Sequence, residues 1–271
     1  MLNRKFTTPI AASLLAVSAS ACVTAPPTKK ELEYEQQKKS VDLLPATNEA
    51  RQKIKLQDPV TQATFWSIEY EKSPADPQTA VEFVKALRLM GNEDRAAEIA
   101  SQALALAPDN IELLSLFGKS LLSAGKATGA IDILRRAHGL NSTDITILGA
   151  LGVAYDQTGR HREAQATYRK VLAQQPDNTA NLSNLGLSLA LTGEPEQAEI
   201  LLRKAVAQSN ATARERQNLA LVLSVQGKFD EARKLSAADL PDDKVDANIE
   251  YFRAMLTPKS RNYTALRGSS D

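Results

Sequence analysis

Between residues 77 and 240, small and apolar residues return with a period of 34. One column reads Gly91, Gly125, Gly159, Gly193, Gly227, and a second reads Ala96, Ala130, Ala164, Ala198, Ala232. A third is Val84, Gly118, Gly152, Gly186, Ala220, and a fourth is Leu87, Leu121, Tyr155, Leu189, Leu223. Pro74, Pro108 and Pro176 fall on the same lattice, with Ser142 at the intermediate point. The pattern divides the segment into five units starting at Pro77, Ile111, Ile145, Thr179 and Ala213, and each unit predicts a pair of helices. The column containing Gly91 marks the end of each first helix, where a left-handed residue is cheap only without a Cβ. Residues of the alanine column and of the Val84–Ala220 column let the two helices of a unit approach closely, and a larger side chain there would overpack. Pro108 and Pro176 stop a second helix by pushing the preceding residue out of helical backbone.

Helix pairs repeating at this period form the tetratricopeptide-repeat pattern. The resemblance implies an all-α fold, a right-handed superhelix over 77–240 whose first helices line a concave binding face. The end units depart from the pattern. Val84 stands where Gly or Ala is usual. Asp239 stands where the other units carry Ala103, Ala137, Val171 and Ala205, and Asn210 replaces the preceding Pro. Terminal units meet water on one side, so such departures are expected there. Asp58-Pro59 predicts the start of a leading helix within 58–76, on which Trp66 and Tyr70 share a face directed at the first unit. After Pro241, the stripe Val245, Ile249, Phe252, Leu256 predicts an amphipathic helix over 241–256 that closes the stack. Residues 257–271 lack periodicity and are expected to form a disordered tail. Residues 22–57 are Pro-Pro, then rich in Lys, Glu and Gln. They read as a flexible tether, with at most a transient helix over 29–44.

The first 21 residues read as an export signal. Arg4 and Lys5 form a positive segment, and the uncharged apolar stretch from Ile10 to Ala21 is too short to span a bilayer. It ends in Ala19-Ser20-Ala21, directly before Cys22, the single cysteine of the chain. Two readings stand. Ordinary signal peptidase would release a soluble periplasmic protein. Small residues before a cysteine also resemble the lipobox of bacterial lipoproteins, with Ala19 in place of the usual Leu, which implies lipid attachment at Cys22. Several acyl chains make a stable anchor where one does not. Val23, which is not the Asp that resembles an inner-membrane retention signal, points the anchored form to the periplasmic face of the outer membrane.

The groove-facing columns read Lys85, Lys119, Val153, Leu187, Leu221 and, further along, Leu89, Ser123, Gln157, Leu191, Val225. The wall is therefore basic and polar at its start and apolar toward its end, and an exposed apolar wall implies a partner. Asn184 and Asn218 lie one repeat apart at a column where tetratricopeptide proteins that hold extended peptides often carry Asn. A side-chain amide both donates and accepts, so it reads peptide backbone without regard to sequence. Asn184, Asn218, Leu187, Leu191, Leu221, Val225 and Val153 are thus the expected peptide-binding or protein-binding groove. A plain surface role for the asparagines, or a final helix folded onto this wall, are the rival readings.

The rest of the composition narrows the chemistry. A net charge of +1 without clustered Lys/Arg argues against nucleic acid. One cysteine and the two histidines His138 and His161 provide no zinc set, so no metal or cofactor is expected. The sequence shows no Ser/His/Asp arrangement and no phosphate loop, so the chain reads as a non-enzyme, against the alternative of an envelope hydrolase.

Two flanking segments carry a narrower resemblance. FWSIEYEKSPADP followed by VKALRLMGNEDRAAEIA, and RQNLALVLSVQGKFDEARKL followed by ADLP and ANIEYFRAML, are similar to the TadD family. These are lipoproteins with tetratricopeptide repeats in the tight-adherence (Flp pilus) machinery. The resemblance implies a pilotin-like role, in which the scaffold helps the secretin ring of the outer membrane to localise or assemble. A general periplasmic or outer-membrane scaffold for cell-wall or division proteins is the alternative.

Overall fold

A computed structural model of the chain describes residues 45–256. The export signal, Cys22, the first part of the expected tether and the tail over 257–271 lie outside the described residues. Within them the chain is helical throughout, with no strand. Two leading helices, the short α1 (Asn48–Ile54) and the full-length α2 (Pro59–Lys72), precede five hairpins. These are α3 (Pro77–Leu89) with α4 (Glu93–Leu106), α5 (Ile111–Ser123) with α6 (Ala127–Leu140), and α7 (Ile145–Gln157) with α8 (His161–Gln174). They continue as α9 (Thr179–Leu191) with α10 (Pro195–Val206), and α11 (Ala213–Val225) with α12 (Phe229–Ser236), and α13 (Asp242–Leu256) follows. The five units begin at the residues that the period assigns.

Each first helix starts from a residue that the repeat also fixes. Asp76, Asn110, Asp144, Asn178 and Thr212 stand 34 apart, and each accepts a hydrogen bond from a backbone N–H of the first turn. That column satisfies donors which the helix leaves without partners. Gly91, Gly125, Gly159, Gly193 and Gly227 end these helices at φ between 73° and 88°. The second helix of unit two stops at Leu140 with Ser142 in place of a Pro, closed by the Asn141 N–H on the Ala137 carbonyl. Proline is thus sufficient but not necessary for that stop.

Packing within a unit depends on absent side chains. A Cβ built on Gly118 would lie 2.5 Å from Leu134, one on Gly152 2.4 Å from the Tyr168 ring, and one on Gly186 2.8 Å from Leu202. In the end units the pairing changes, and in the first of them the volumes exchange. Val84 takes the glycine place where the facing column carries Ala100, and Ala220 takes it where that column carries Ser236. Val84 is therefore matched to its neighbour across the hairpin. Both it and Ala100 are fully buried.

Between units, apolar layers alternate with polar joints. At the first joint Arg88 donates to Ser120 Oγ (2.9 Å) and to Glu93 (2.7 Å). Two repeats on, the equivalent positions carry Asp156, which accepts from Ser188 Oγ (2.7 Å) and meets His161 Nδ1 at 2.9 Å. The intervening units place Leu122 with Ala127, and Ala190 with Pro195, at these positions. Units one and two, and units three and four, are thus coupled by charge of opposite sense.

The leading segment differs from expectation. Residues 46–55 do not belong to a free tether, because Glu69 of α2, almost wholly buried, holds them. It accepts from the Ala46 N–H at 2.7 Å, from Arg51 at 3.3 Å and from Lys72 at 3.0 Å. Burial works against its charge, and these bonds more than offset it, so the carboxyl titrates below its ordinary range. Arg51 also lies over the Trp66 ring, and Lys55 reaches Glu82 at 3.2 Å. Composition alone missed this, since specific polar bonds replace the apolar area that the segment lacks.

At the other end α12 has 8 residues, against 12 to 14 in the other second helices. α13 runs antiparallel to it, with Arg233 paired to Asp246 and Arg253 over the Phe229 ring. Val245 and Ile249 are buried, whereas Phe252 is half-buried and Leu256 is exposed. The expected stripe is covered only in its first half, because the last turn of α13 passes the point where α12 begins. Asp239, the departure noted in unit five, accepts from Nε and Nη2 of Arg216.

Two measurements test this packing. Gly152→Ala is expected to lower the unfolding free energy by about 1–3 kcal/mol. Gly129→Ala, whose new methyl meets only Leu121 at 3.8 Å, raises it by up to about 1 kcal/mol in the same denaturant titration. Acid tests the join of units four and five. Burial opposes the charge of Glu199, but hydrogen bonds from Lys228, Arg203 and Gln226 outweigh it and hold the carboxyl down at about 2. A depressed folded-state pKa gives stability that is complete above the unfolded value, near 4.5, and lost as pH falls toward 2. Thermal melts of Glu199→Gln should fall less steeply across that window than those of the unaltered chain.

Candidate functional site

Successive first helices touch each other along the stack, α3 with α5, α5 with α7, α7 with α9 and α9 with α11, whereas successive second helices do not. The rod therefore bends toward its first helices, and their outward faces form its inner wall. The sequence columns place the candidate residues on this wall, and burial bears on each. Leu191 is 69% exposed, Leu221 38% and Val225 37%, so the second half of the wall presents aliphatic surface to solvent, and Leu89 of the first unit is exposed as well. Val153 and Leu187 are half-buried.

α13 does not occupy this wall. It packs against α11 and α12 at the end of the stack and leaves Leu221 and Val225 open among the described residues.

The two asparagines have different surroundings. Asn218 Nδ2 donates to Ser183 Oγ at 2.8 Å, tying α11 to α9, so one of its donors serves the stack. The Asn184 side chain makes no hydrogen bond among the described residues and opens into a cavity of about 290 Å³. Lys119, Gly149, Val153 and Asn181 share that cavity. The structure thus brings Asn184 and Val153 together there, whereas Leu187, Leu191, Leu221 and Val225 lie outside it, further along the wall.

Two residues of this cavity were missed by the groove columns. Gly149 leaves room that a Cβ would fill, at 3.2 Å from Asn181 Oδ1. Asn181 is 7% exposed, and its Oδ1 is buried without a hydrogen-bond partner. The signal in the sequence was the pair Asn178 and Asn181, one helical turn apart. Asn178 caps α9 by accepting from the Asn181 N–H at 3.1 Å, and Asn181 Nδ2 donates back to the same oxygen at 2.9 Å.

Tetratricopeptide-repeat profiles match residues 121–188 and 182–204. The chain therefore carries tetratricopeptide repeats over those residues, and its fold is that of a tetratricopeptide-repeat stack. Among solved structures it is similar to TTC0263, a thermophilic TPR protein in Thermus thermophilus. The identity is 21% over 66% of this chain and 99% of that one, with a TM-score of 0.57. It is also similar to MamA from Desulfovibrio magneticus RS-1, at 18% identity over 59% of this chain and 90% of that one, TM-score 0.54. A third is YrrB, described as a TPR protein with an unusual peptide-binding site. There the identity is 15% over 70% of this chain and 99% of that one, TM-score 0.51. At these identities the likeness is one of fold. No curated protein matches the chain.

Candidates for chemistry other than binding look different once placed. Ser188, Asp156 and His161 do meet, an arrangement that sequence alone did not show. Asp156 stands in the middle, bonded to both others, and Ser188 is fully buried. Hydrolysis by such a trio needs His between Ser and Asp with the Ser accessible, so this cluster acts as the joint between units three and four. Burial, with Asp156 beside it, also pushes the Tyr168 hydroxyl upward. Among the described residues no group of three or more His, Cys, Asp and Glu is placed to hold a metal ion. No described helix is long and apolar enough to cross a membrane.

The asparagines give a test of wall against stack. Asn218→Ala should cost about 0.5–1.5 kcal/mol of unfolding free energy by removing the bond to Ser183. Asn184→Ala should leave it unchanged, both read by chemical denaturation.

Proposed function

We propose that this chain is a tethered peptide-binding scaffold of the bacterial envelope that assists tight-adherence pilus assembly. On this reading it holds an extended segment of an unassembled secretin subunit against the inner wall of the stack. The observation that carries the binding role is the open wall itself. Exposed aliphatic surface at Leu191, Leu221 and Val225 continues from a polar cavity in which the Asn184 amide is free to pair with peptide backbone. A tetratricopeptide fold suits such a partner, since its stacked first helices present a continuous curved surface.

Anchoring and client rest on the sequence. Lipid attachment at Cys22 would confine the scaffold to the periplasmic face of the outer membrane, and confinement raises the effective concentration of a client within reach of the tether. The pilus assignment is supported by the likeness of residues 65–100 and 216–256 to TadD lipoproteins. The tetratricopeptide matches, which cover residues 121–204, do not address those segments.

The test is photo-crosslinking in cells from a reactive residue at Leu221, in the unaltered chain and in Cys22→Ser. The expected trapped partner is a secretin subunit, with yield falling when Cys22→Ser leaves the membrane fraction. Trapping only cell-wall or division proteins would replace the pilus client with that of a general scaffold.

A further inference from the structure

The second helices form the outer face of the rod, and the repeat lets each outer position be compared with its equivalents. In the fourth unit Arg203 of α10 meets two carboxylates, Glu231 at 2.6 Å and Glu199 at 2.8 Å. One repeat earlier the same place holds Arg169 of α8, and Gln197 and Gln165 take the positions of Glu231 and Glu199. Both amides are engaged elsewhere, Gln197 with Glu194, and Gln165 with Ser188 and Thr192. The next column repeats the contrast. Arg136 pairs with Asp109 at 2.8 Å and Lys204 with Asp177 at 3.1 Å, whereas Lys170 has Thr143 at the equivalent place. At the start of α8, Arg162 stands where the other units carry Asp94, Thr128, Glu196 and Asp230. Arg162, Arg169 and Lys170 are all exposed and have no ion pair among the described residues. Exposed pairs of this kind add little to stability, so their loss from α8 costs the fold little. What changes is the field outside it.

Two acids lie near this group. Glu163, the one carboxylate of α8, accepts from the Arg160 guanidinium through both oxygens, and Asp132 of α6 lies near Arg160 as well. Arg135 of α6, exposed and without an ion pair among the described residues, adds a further cation on the side of Glu163. The place of the group in the curve then matters. α8 is the third of the five second helices, and because the rod bends toward its first helices, α8 forms the crest of the outer face. Away from the crest, acids balance or exceed the bases. α4 carries Glu93, Asp94 and Glu98 against Arg95, and α10 and α12 each carry two acids and two bases. A flat surface laid on the convex side meets the crest first and the ends of the rod last. Exposed charges farther off than about 8–10 Å are largely screened at physiological salt. On α8 itself, Arg162, Ala166, Arg169 and Ala173 share one face at i, i+4, i+7 and i+11, so only methyl groups stand between the cations. Ile200 of α10, 69% exposed, occupies the column of Ala166 and sets an apolar side chain beside them. Cations next to an exposed aliphatic side chain suit the boundary between headgroups and acyl chains.

We propose that the crest formed by α8, with Arg135 and Ile200 beside it, rests on an anionic phospholipid surface. A membrane is assigned, not an acidic protein, because the free cations sit on the most convex part of the rod. A planar partner makes contact there, whereas a folded one would need a matching hollow. Contact at the crest turns the inner wall away from the bilayer and leaves it open to a partner. The inference depends neither on lipid attachment at Cys22 nor on which client the wall holds.

The experiment is vesicle sedimentation with the full-length chain carrying Cys22→Ser, which removes any acyl anchor. Vesicles are phosphatidylcholine alone or an equal mixture of phosphatidylcholine and phosphatidylglycerol. The expected result is binding at least about tenfold stronger to the mixed vesicles, and weaker as salt is raised. Arg162→Gln/Arg169→Gln/Lys170→Gln should lower that binding about ten- to a hundredfold, since each cation near an anionic surface contributes about fivefold. Thr143→Asp with Gln197→Glu rebuilds the pairs of the neighbouring units, keeps every cation, and should weaken binding as well. Because it copies contacts the fold already contains, it guards against a triple variant that fails to fold, which a circular-dichroism melt would reveal. Arg203→Gln with Lys204→Gln, which removes paired cations from α10, should change binding less than about threefold. Residues 1–44 are the same in all these variants, so the differences report the outer helices. Unchanged binding by the triple variant, or an equal loss from the α10 pair, would overturn the crest. Equal binding to both kinds of vesicle would overturn the lipid surface. Polyglutamate binding that the α8 substitutions weaken would then put an acidic protein in its place. Peptide capture at the inner wall is read separately, by crosslinking from Leu221, and stands or falls on its own.

Discussion

The distance between the two helices of a hairpin governs this molecule, and it is set by carbon atoms that are missing. Gly118, Gly152 and Gly186 allow Leu134, Tyr168 and Leu202 to reach the opposing backbone. Once the hairpins close to that distance, consecutive first helices come into contact and consecutive second helices spread apart. Curvature follows from this asymmetry, and the inner wall follows from curvature. In the first unit Val84 facing Ala100 fills the same place with the opposite distribution of bulk, while in the last unit both facing residues, Ala220 and Ser236, are small. Interiors tolerate such swaps when total volume is conserved.

Most of this was legible because repetition turns one ambiguous signal into five concordant ones. Unit starts, left-handed ends and close-packed columns could be read from spacing alone, since each depends on a backbone or volume requirement that few residue types meet. The capping column from Asp76 to Thr212 was equally regular and was overlooked, because its chemistry is shared by four residue types rather than one. What spacing could not supply were bonds between distant residues. Glu69 orders residues 46–55 against a composition that predicts a loose chain. Ser183 engages Asn218 and separates it from its apparent twin Asn184. The candidate site was therefore half legible: the aliphatic wall was, and the cavity at Asn181 was not.

Comparison between repeats is informative in this fold because backbone geometry is held nearly constant while side chains change. Arg169 and Arg203 differ in neighbours and hardly at all in place, so their contrast isolates electrostatics. The same logic explains the joints. Arg88 with Glu93 and Asp156 with His161 fill one polar niche with opposite arrangements of charge, each reaching a serine of the next unit. The niche is a property of the fold, and its content is free to vary. Apolar contents at the intervening positions show that stacking itself needs no charge there.

The cluster at Glu69 has a mechanical meaning. Any pull transmitted along the backbone to residue 45 is received by a buried carboxylate that grips Ala46, Arg51 and Lys72 together. Such a clasp takes the load in shear across several short polar contacts, whereas α1, at 7 residues, would otherwise peel away turn by turn. Load arriving there enters α2 at Glu69, part-way along that helix, and not only through the turn that joins α1 to it.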